Sequence, residues 1–216
     1  MRKFLRFLLW SAVVIGVVIG VARAFFIRWW RVPLNDPYLE ASIEPSLEGG
    51  DLILLWRFTK PSFGDLVMCP EPGAAGRIVI GRIMAEAGDT VTVDGDQVSL
   101  NGKTVETERA CDERLFKTVN PSSTHHQVVE QHCQIETLAG ESHMRGSTSG
   151  HKVPPRKTEH DVAPGKVFLV SDNRLFPYDS RDFGTVPRDG CKEIVFFRLV
   201  GQKGFFDAKH RFMFVQ

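Results

Sequence analysis

The sequence predicts a mainly β protein: an N-terminal transmembrane helix followed by a coiled antiparallel β-sheet body with a loop-rich insert. Three observations predict it. An apolar run opens the chain, short apolar segments of strand length alternate with turn residues from Asp51 onward, and nothing after the opening run sustains a helical period.

The opening run comes first. Residues Phe7 to Ala22 carry no charge, and Ala24-Phe25-Phe26-Ile27 resume the run after Arg23, giving the roughly twenty residues that span a hydrocarbon core. Arg23, Arg28 and Arg31 can snorkel toward the interface beside Trp29 and Trp30. Ala22-Arg23-Ala24 also has the small-x-small form of a leader cleavage site, but the apolar run outlasts the about 7 to 15 residues of a leader's core, so an anchor is preferred. Arg2, Lys3 and Arg6 lie before the run, and three arginines lie within or after its end, so charge alone leaves the orientation open. Residues 1–31 are assigned to the anchor and 32–216 to the body.

In the body, Asp51-Leu-Ile-Leu-Leu-Trp56, Asp65-Leu-Val-Met68, Arg77-Ile-Val-Ile80, Thr90-Val-Thr-Val93 and Gln97-Val-Ser-Leu100 have strand lengths. Asp94-Gly95 and Asn101-Gly102 between them are hairpin signals. From about 105 to 162 the sequence turns polar and His-containing, with Gly140, Gly146, Gly150 and Pro154-Pro155. This reads as an insert of poorly ordered loops in which function does not centre. Strand character returns at Lys166-Val-Phe-Leu-Val170 and Glu193-Ile-Val-Phe-Phe-Arg-Leu-Val200. Phe205, Phe206, Phe212 and Phe214 in the tail suit a core or an interfacial face better than a ligand box.

At 216 residues, 43% hydrophobic, the chain holds one anchor and one sizeable core. The overall charge of +1 hides an asymmetry: six basic residues and no acid in the first 31 leave 21 basic against 26 acidic residues in the body. Such a body offers no basic stripe for a phosphate backbone, so no nucleic acid is expected as a partner. Cys69, Cys111, Cys133 and Cys191 allow three complete pairings in an oxidising compartment, with Cys111–Cys133, which bracket part of the insert, as the first choice; four buried thiols are the alternative. Cys111, His125, His126, His132 and Cys133 are zinc-ligating types, but they lack the close pair of ligands at each end of a compact site, so no metal is expected.

Three blocks carry chemistry: Ser42-Ile-Glu-Pro-Ser-Leu-Glu-Gly-Gly-Asp51, Gly81-Arg-Ile-Met-Ala-Glu-Ala-Gly-Asp89 and Ser171-Asp-Asn-Arg-Leu-Phe-Pro-Tyr-Asp-Ser-Arg-Asp-Phe-Gly184. In this order they resemble the three boxes of type I signal peptidases: Ser-Met-x-Pro-Thr-Leu, Lys-Arg-x-x-Gly-x-x-Gly-Asp, and Gly-Asp-Asn-Arg ending in Asp-Ser-Arg. Gly64-Asp-Leu-Val67 and the Asn101-Gly102 turn are similar to further family features, so the resemblance covers most of residues 39 to 201. It implies a membrane-anchored serine endopeptidase that cleaves signal peptides from exported preproteins after small-x-small residues. The implied place is the inner (cytoplasmic) membrane, single-pass, with the body on the periplasmic or extracytoplasmic side. Its partners would be the membrane, signal peptides, and another peptidase or the secretion machinery; no cofactor is implied.

The resemblance places the nucleophile on Ser42. A serine hydroxyl is a poor nucleophile without a proton acceptor within hydrogen-bond reach, and in the family that acceptor is a neutral lysine. Its position falls on Gly81, and neighbouring Arg82 stays protonated and cannot serve as base. A hydroxyl that the family often places two residues before the nucleophile falls on Glu40, and the serine that contacts the lysine falls on Pro177. Arg82, Asp172, Arg174, Asp179 and Arg181 keep the family's bracing charges. Three functions follow: a divergent peptidase centred on Ser42 with another base, for which the histidines of the insert are candidates; a catalytically inactive relative that binds signal peptides or a partner peptidase; or, last in order, a structural membrane protein that uses the sheet only as an interaction platform. In the second, peptide would add as a strand along the segments before Ser42 and Gly81, and Ser42 would be a surface hydroxyl ahead of a Pro-containing turn.

Overall fold

The structure, a computed structural model, describes residues 2–138, 140–147 and 157–215. Gly150, His151 and Pro154-Pro155 lie outside the described residues. Helix α1 (Arg2–Phe25) contains a segment, Lys3–Val21, long and apolar enough to cross a membrane and not buried against the body. Directly after it, β1 (Ile27–Arg31) pairs along its full length with β2 (Leu52–Trp56). Ile27–Arg31, assigned by sequence to the anchor, is therefore an edge strand of the body's sheet.

The remaining elements are α2 (Pro37–Ile43), β3 (Leu66–Pro70), β4 (Ile78–Glu86), β5 (Thr90–Asp94), β6 (Gln97–Leu100), β7 (Lys103–Thr104), β8 (Glu106–Val119), β9 (Val128–Leu138) and β10 (Glu141–Ser147). After these come β11 (Thr158–Asp161), β12 (Lys166–Val170), α3 (Ser180–Phe183), β13 (Val186–Pro187), β14 (Glu193–Val200) and β15 (Met213–Phe214). The described strands form an antiparallel sheet in the order β1-β2-β14-β3-β4-β12-β13 with β15 on β14, a four-stranded sheet β11-β5-β6-β7, and a three-stranded sheet β10-β9-β8. Asn101 and Gly102, with φ of 51° and 78°, make the predicted two-residue turn between β6 and β7, where positive φ at both positions suits Asn-Gly.

Side chains alternate across a strand, so the apolar run of β3 is buried on both faces of the large sheet. Leu66 and Met68 join Leu39, Ile43, Leu47, Ile53, Leu55 and Ile80 on one side. Val67 and Cys69 join Val79, Ile83, Val167 and Leu169 on the other, where Cys69 and Cys191 form a disulfide. Met84, Phe168 and Val170 pack with Val91, Val93 and Val98 of the four-stranded sheet.

The insert differs from its expected form. Its described part is mostly strand: β8, β9 and β10 form a continuous sheet, and the expected Cys111–Cys133 disulfide ties β8 to β9. Many of its residues are polar because the ladder and cross-strand polar pairs, not a two-sided apolar core, hold it together; Thr137 and Ser142 hydroxyls, 2.7 Å apart, are one such pair.

Candidate active site

Ser42 owes its position to a short helix. Asp36 caps α2 by accepting a hydrogen bond from Leu39 N–H at 3.1 Å, and Pro37 begins the helix with a fixed φ. The helix stops before Pro45, because the residue preceding a proline favours extended backbone; Glu44 has ψ 147°. Near its end Ser42 is fully buried, and its hydroxyl donates to Leu39 C=O at 2.9 Å. A surface hydroxyl, expected for a non-catalytic Ser42, is not what the fold produces: Leu39, Ile43 and Leu47 press this helix into the core and carry Ser42 down with them. The segment before Ser42 is helical, so it cannot receive a peptide as an added strand.

Asp172 draws the three boxes together. Its carboxylate accepts Arg82 Nε at 3.0 Å and Nη2 at 2.8 Å, a bidentate pair with both side chains buried, and accepts the Ser46 hydroxyl at 2.5 Å. Beside it, Asn173 N–H donates to Ser42 C=O at 3.0 Å. Arg82 also donates to Gly64 C=O at 2.8 Å. Arg198 of β14 donates to Ser46 C=O at 2.5 Å and pairs with Asp51 at 2.9 Å, closing the end of the Ser42 box. In the third box, Asp179 caps α3 and binds Arg181 Nη2 at 2.7 Å. Burial would raise the Asp179 pKa, but the Arg181 charge and hydrogen bonds from Arg181 and Ser171 outweigh it and hold it below the ordinary value.

Gly81 lies in β4 opposite Val67 of β3. A Cβ there would meet Leu169 Cβ at 3.2 Å and Val170 O at 3.5 Å. Among the described strands, β12 joins β4 only from Arg82 onward, so Ile78–Gly81 have β3 as their ladder neighbour on one side. Glu40 is turned over Gly49, where an added Cβ would sit 2.5 Å from Glu40 Oε2. Burial raises its pKa. Next to Pro177, Tyr178 N–H donates to Ser171 Oγ at 3.1 Å, and the Tyr178 hydroxyl donates to Glu71 at 2.7 Å.

The insert reaches the boxes directly. Gly146 N–H donates to Asp172 C=O at 2.8 Å, and Arg174 N–H donates to Gly146 C=O at 3.3 Å. Arg174 is fully buried and donates through Nη2 to Glu136 at 2.9 Å. Arg145 Nε lies 3.5 Å and His143 Nε2 4.0 Å from the same carboxylate. His143 is held far below its ordinary pKa by burial first, then by Arg82, Arg174 and Arg145, so it is neutral. Of the other described insert histidines, His125 and His126 are exposed, His132 is partly buried in β9, and the His160 ring lies tilted against Phe168 at 5.1 Å.

Glu44, two residues beyond Ser42, accepts a hydrogen bond from the Thr118 hydroxyl of β8. Thr118 in turn accepts from Asn173 Nδ2 at 3.4 Å. Burial, then the neighbouring acids Glu48, Glu40 and Asp51, push the Glu44 pKa up to about 7, against the Thr118 hydrogen bond that lowers it. The motif order could have pointed to Asp172 as a hub; nothing local marks Glu136 or Thr118.

The family model described as signal peptidase, peptidase S26, matches residues 4–200. The chain is 26% identical over 149 residues to Signal peptidase I V of Bacillus subtilis (strain 168), an alignment covering 67% of this chain and 73% of that protein. With its apolar anchor, curled antiparallel sheet and three boxes joined at Asp172, the chain belongs to the signal peptidase family, peptidase S26.

Proposed function

We propose that this protein handles the signal peptides of exported preproteins at the outer face of a bacterial-type inner membrane, as a signal peptidase I-like serine endopeptidase with Ser42 as nucleophile. The observation that carries this reading is the Asp172 hub, which keeps the Ser42 and Arg82 boxes joined through buried charge-assisted bonds. Two disulfides favour a body in an oxidising compartment, and hence the extracytoplasmic side. For attack, the Ser42 hydroxyl has to leave Leu39 C=O and give its proton to a base. Gly81 supplies none. Glu44 stands two residues beyond Ser42, and its pKa of about 7 suits a base at neutral pH.

The second reading is a relative that binds signal peptides or a partner peptidase without cutting. Gly81 and the Ser42–Leu39 bond favour it. The deciding experiment is cleavage of a small-x-small preprotein by the full chain in detergent, comparing the parent with Ser42→Ala and Gly81→Lys across pH. Turnover lost in Ser42→Ala establishes the peptidase, and its pH profile reports the base. Peptide binding without turnover, unchanged by Ser42→Ala, establishes the binder.

A further inference from the structure

The family match ends at residue 200, and the chain then doubles back. After a loop, Phe212 N–H donates to Leu199 C=O at 3.3 Å, β15 pairs with Phe197 and Arg198 of β14, and Val215 N–H donates to Phe196 C=O at 3.0 Å. On the way, Lys209 Nζ reaches Glu113 of the insert at 2.8 Å. His210 lies 3.9 Å from Glu48 of the nucleophile box and 2.8 Å from Asp207. These contacts set the tail against a cleft of about 720 Å³ whose walls include Glu44, Pro45 and Ser46 of the nucleophile box, Phe116 and Met144 of the insert, and Phe214 of the tail.

We propose that residues 201–215 are a displaceable strap that closes this cleft over the nucleophile box, and that a peptide reaches the box from this side only when the strap lifts. This concerns regulation of the same site and rests on the preceding functional reading. The strap's ion pair to the insert differs from the ion pairs within the boxes. Arg82–Asp172 and Arg198–Asp51 are buried ion pairs. Lys209 and Glu113, by contrast, keep 76% and 59% of their side-chain surface exposed, so their pair holds weakly. The strap's strand is two residues long, and Phe206 and Phe214 are 95% and 73% exposed. Val215 packs against the core and His210 and Asp207 are partly buried, but a short strand with an exposed ion pair and exposed aromatics opens at lower free energy than the sheet it lies on.

All four native cysteines are paired, so Met144→Cys supplies a single free thiol in the cleft wall. Its maleimide labelling rate is compared in the full chain in detergent, in the same chain with Lys209→Glu, and in a chain ending at Lys203. The strap predicts labelling about tenfold faster after truncation and severalfold faster with Lys209→Glu, where two acids then face each other. The native cysteines stay unlabelled as the control for an intact fold, and Lys209→Glu carries the test if the shortened chain does not fold. Equal rates in the three proteins overturn the proposal. Labelling needs no turnover, so a chain that opens faster yet never cleaves sinks the peptidase reading and leaves the strap standing.

Discussion

Glu136→Gln removes the carboxylate that faces the most deeply buried cation of the third box. The Arg174 and Glu136 side chains keep only 1% and 3% of their surface exposed, and Arg174 Nε and Nη1 have no hydrogen-bond partner, so Glu136 is the anion that compensates this charge. Burial already pulls the Arg174 pKa below its ordinary value, with Glu136 opposing. Removing one member of a buried pair leaves the other uncompensated, at a cost of about 3–5 kcal/mol. For a body of this size, where 1 kcal/mol moves the midpoint by roughly 2–4 °C, Tm should fall by about 10 °C, read by circular dichroism of the full chain in detergent. A double variant, Glu136→Leu with Arg174→Met, should recover most of the loss, because well-packed apolar residues often replace a buried ion pair at no cost. A Glu136→Gln chain within about 0.5 kcal/mol of the parent would refute the reasoning, since Arg174 would then have to be compensated elsewhere or be neutral.

Three further outcomes follow from the same site. Asp172→Asn breaks the bidentate pair with Arg82 and should destabilise by about 3–5 kcal/mol in urea unfolding, with Ser46→Ala costing about 1 kcal/mol. Glu44 has a folded pKa of about 7, above its unfolded value, so the native chain binds the extra proton and stability should fall as pH rises from about 4.5 to 7, by a few kcal/mol in all; Glu44→Gln should flatten that slope in urea midpoints at pH 5 and pH 8. Gly81→Ala should change stability by less than about 1 kcal/mol, because Leu169 needs to yield only a few tenths of an ångström, and a larger loss would mean that Gly81→Lys tests folding rather than chemistry.

The large sheet was legible because its strands bury apolar runs between turn residues, a local signal that Leu66–Pro70 and Lys166–Val170 carry plainly. Helix α2 was missed although Asp36-Pro37 is an N-cap followed by a first-turn proline; seven residues are too few for a helical period to show. The insert was misjudged because β8, Glu106–Val119, is charged along much of its length, and β9 carries only a broken apolar alternation, Val129, Cys133 and Ile135 with the polar Gln131 between. At the site, the motifs located Ser42, Arg82 and Asp172 but not their mutual bonds. The Arg174–Glu136 and Glu44–Thr118 contacts span 38 and 74 residues, and a single sequence carries no local mark of such pairs.

On the proposal that Ser42 is the nucleophile, the two obstacles to catalysis differ greatly in size. Freeing the hydroxyl from Leu39 C=O gives up one neutral hydrogen bond, a net cost of about 0.5–1.5 kcal/mol, and loosens one turn at the end of a seven-residue helix. Thermal motion supplies that readily. The base is another matter: a positioned general base contributes about 10²- to 10⁴-fold, or roughly 3–5 kcal/mol of barrier, and no local rearrangement creates one at Gly81. The Ser42–Leu39 hydrogen bond is therefore weak evidence against a peptidase, because it is cheaply undone. What separates a cutting protein from a binding one is whether a group such as Glu44 takes the proton, and Glu44→Gln should then abolish turnover while leaving peptide binding intact, whereas in the binding protein it alters neither.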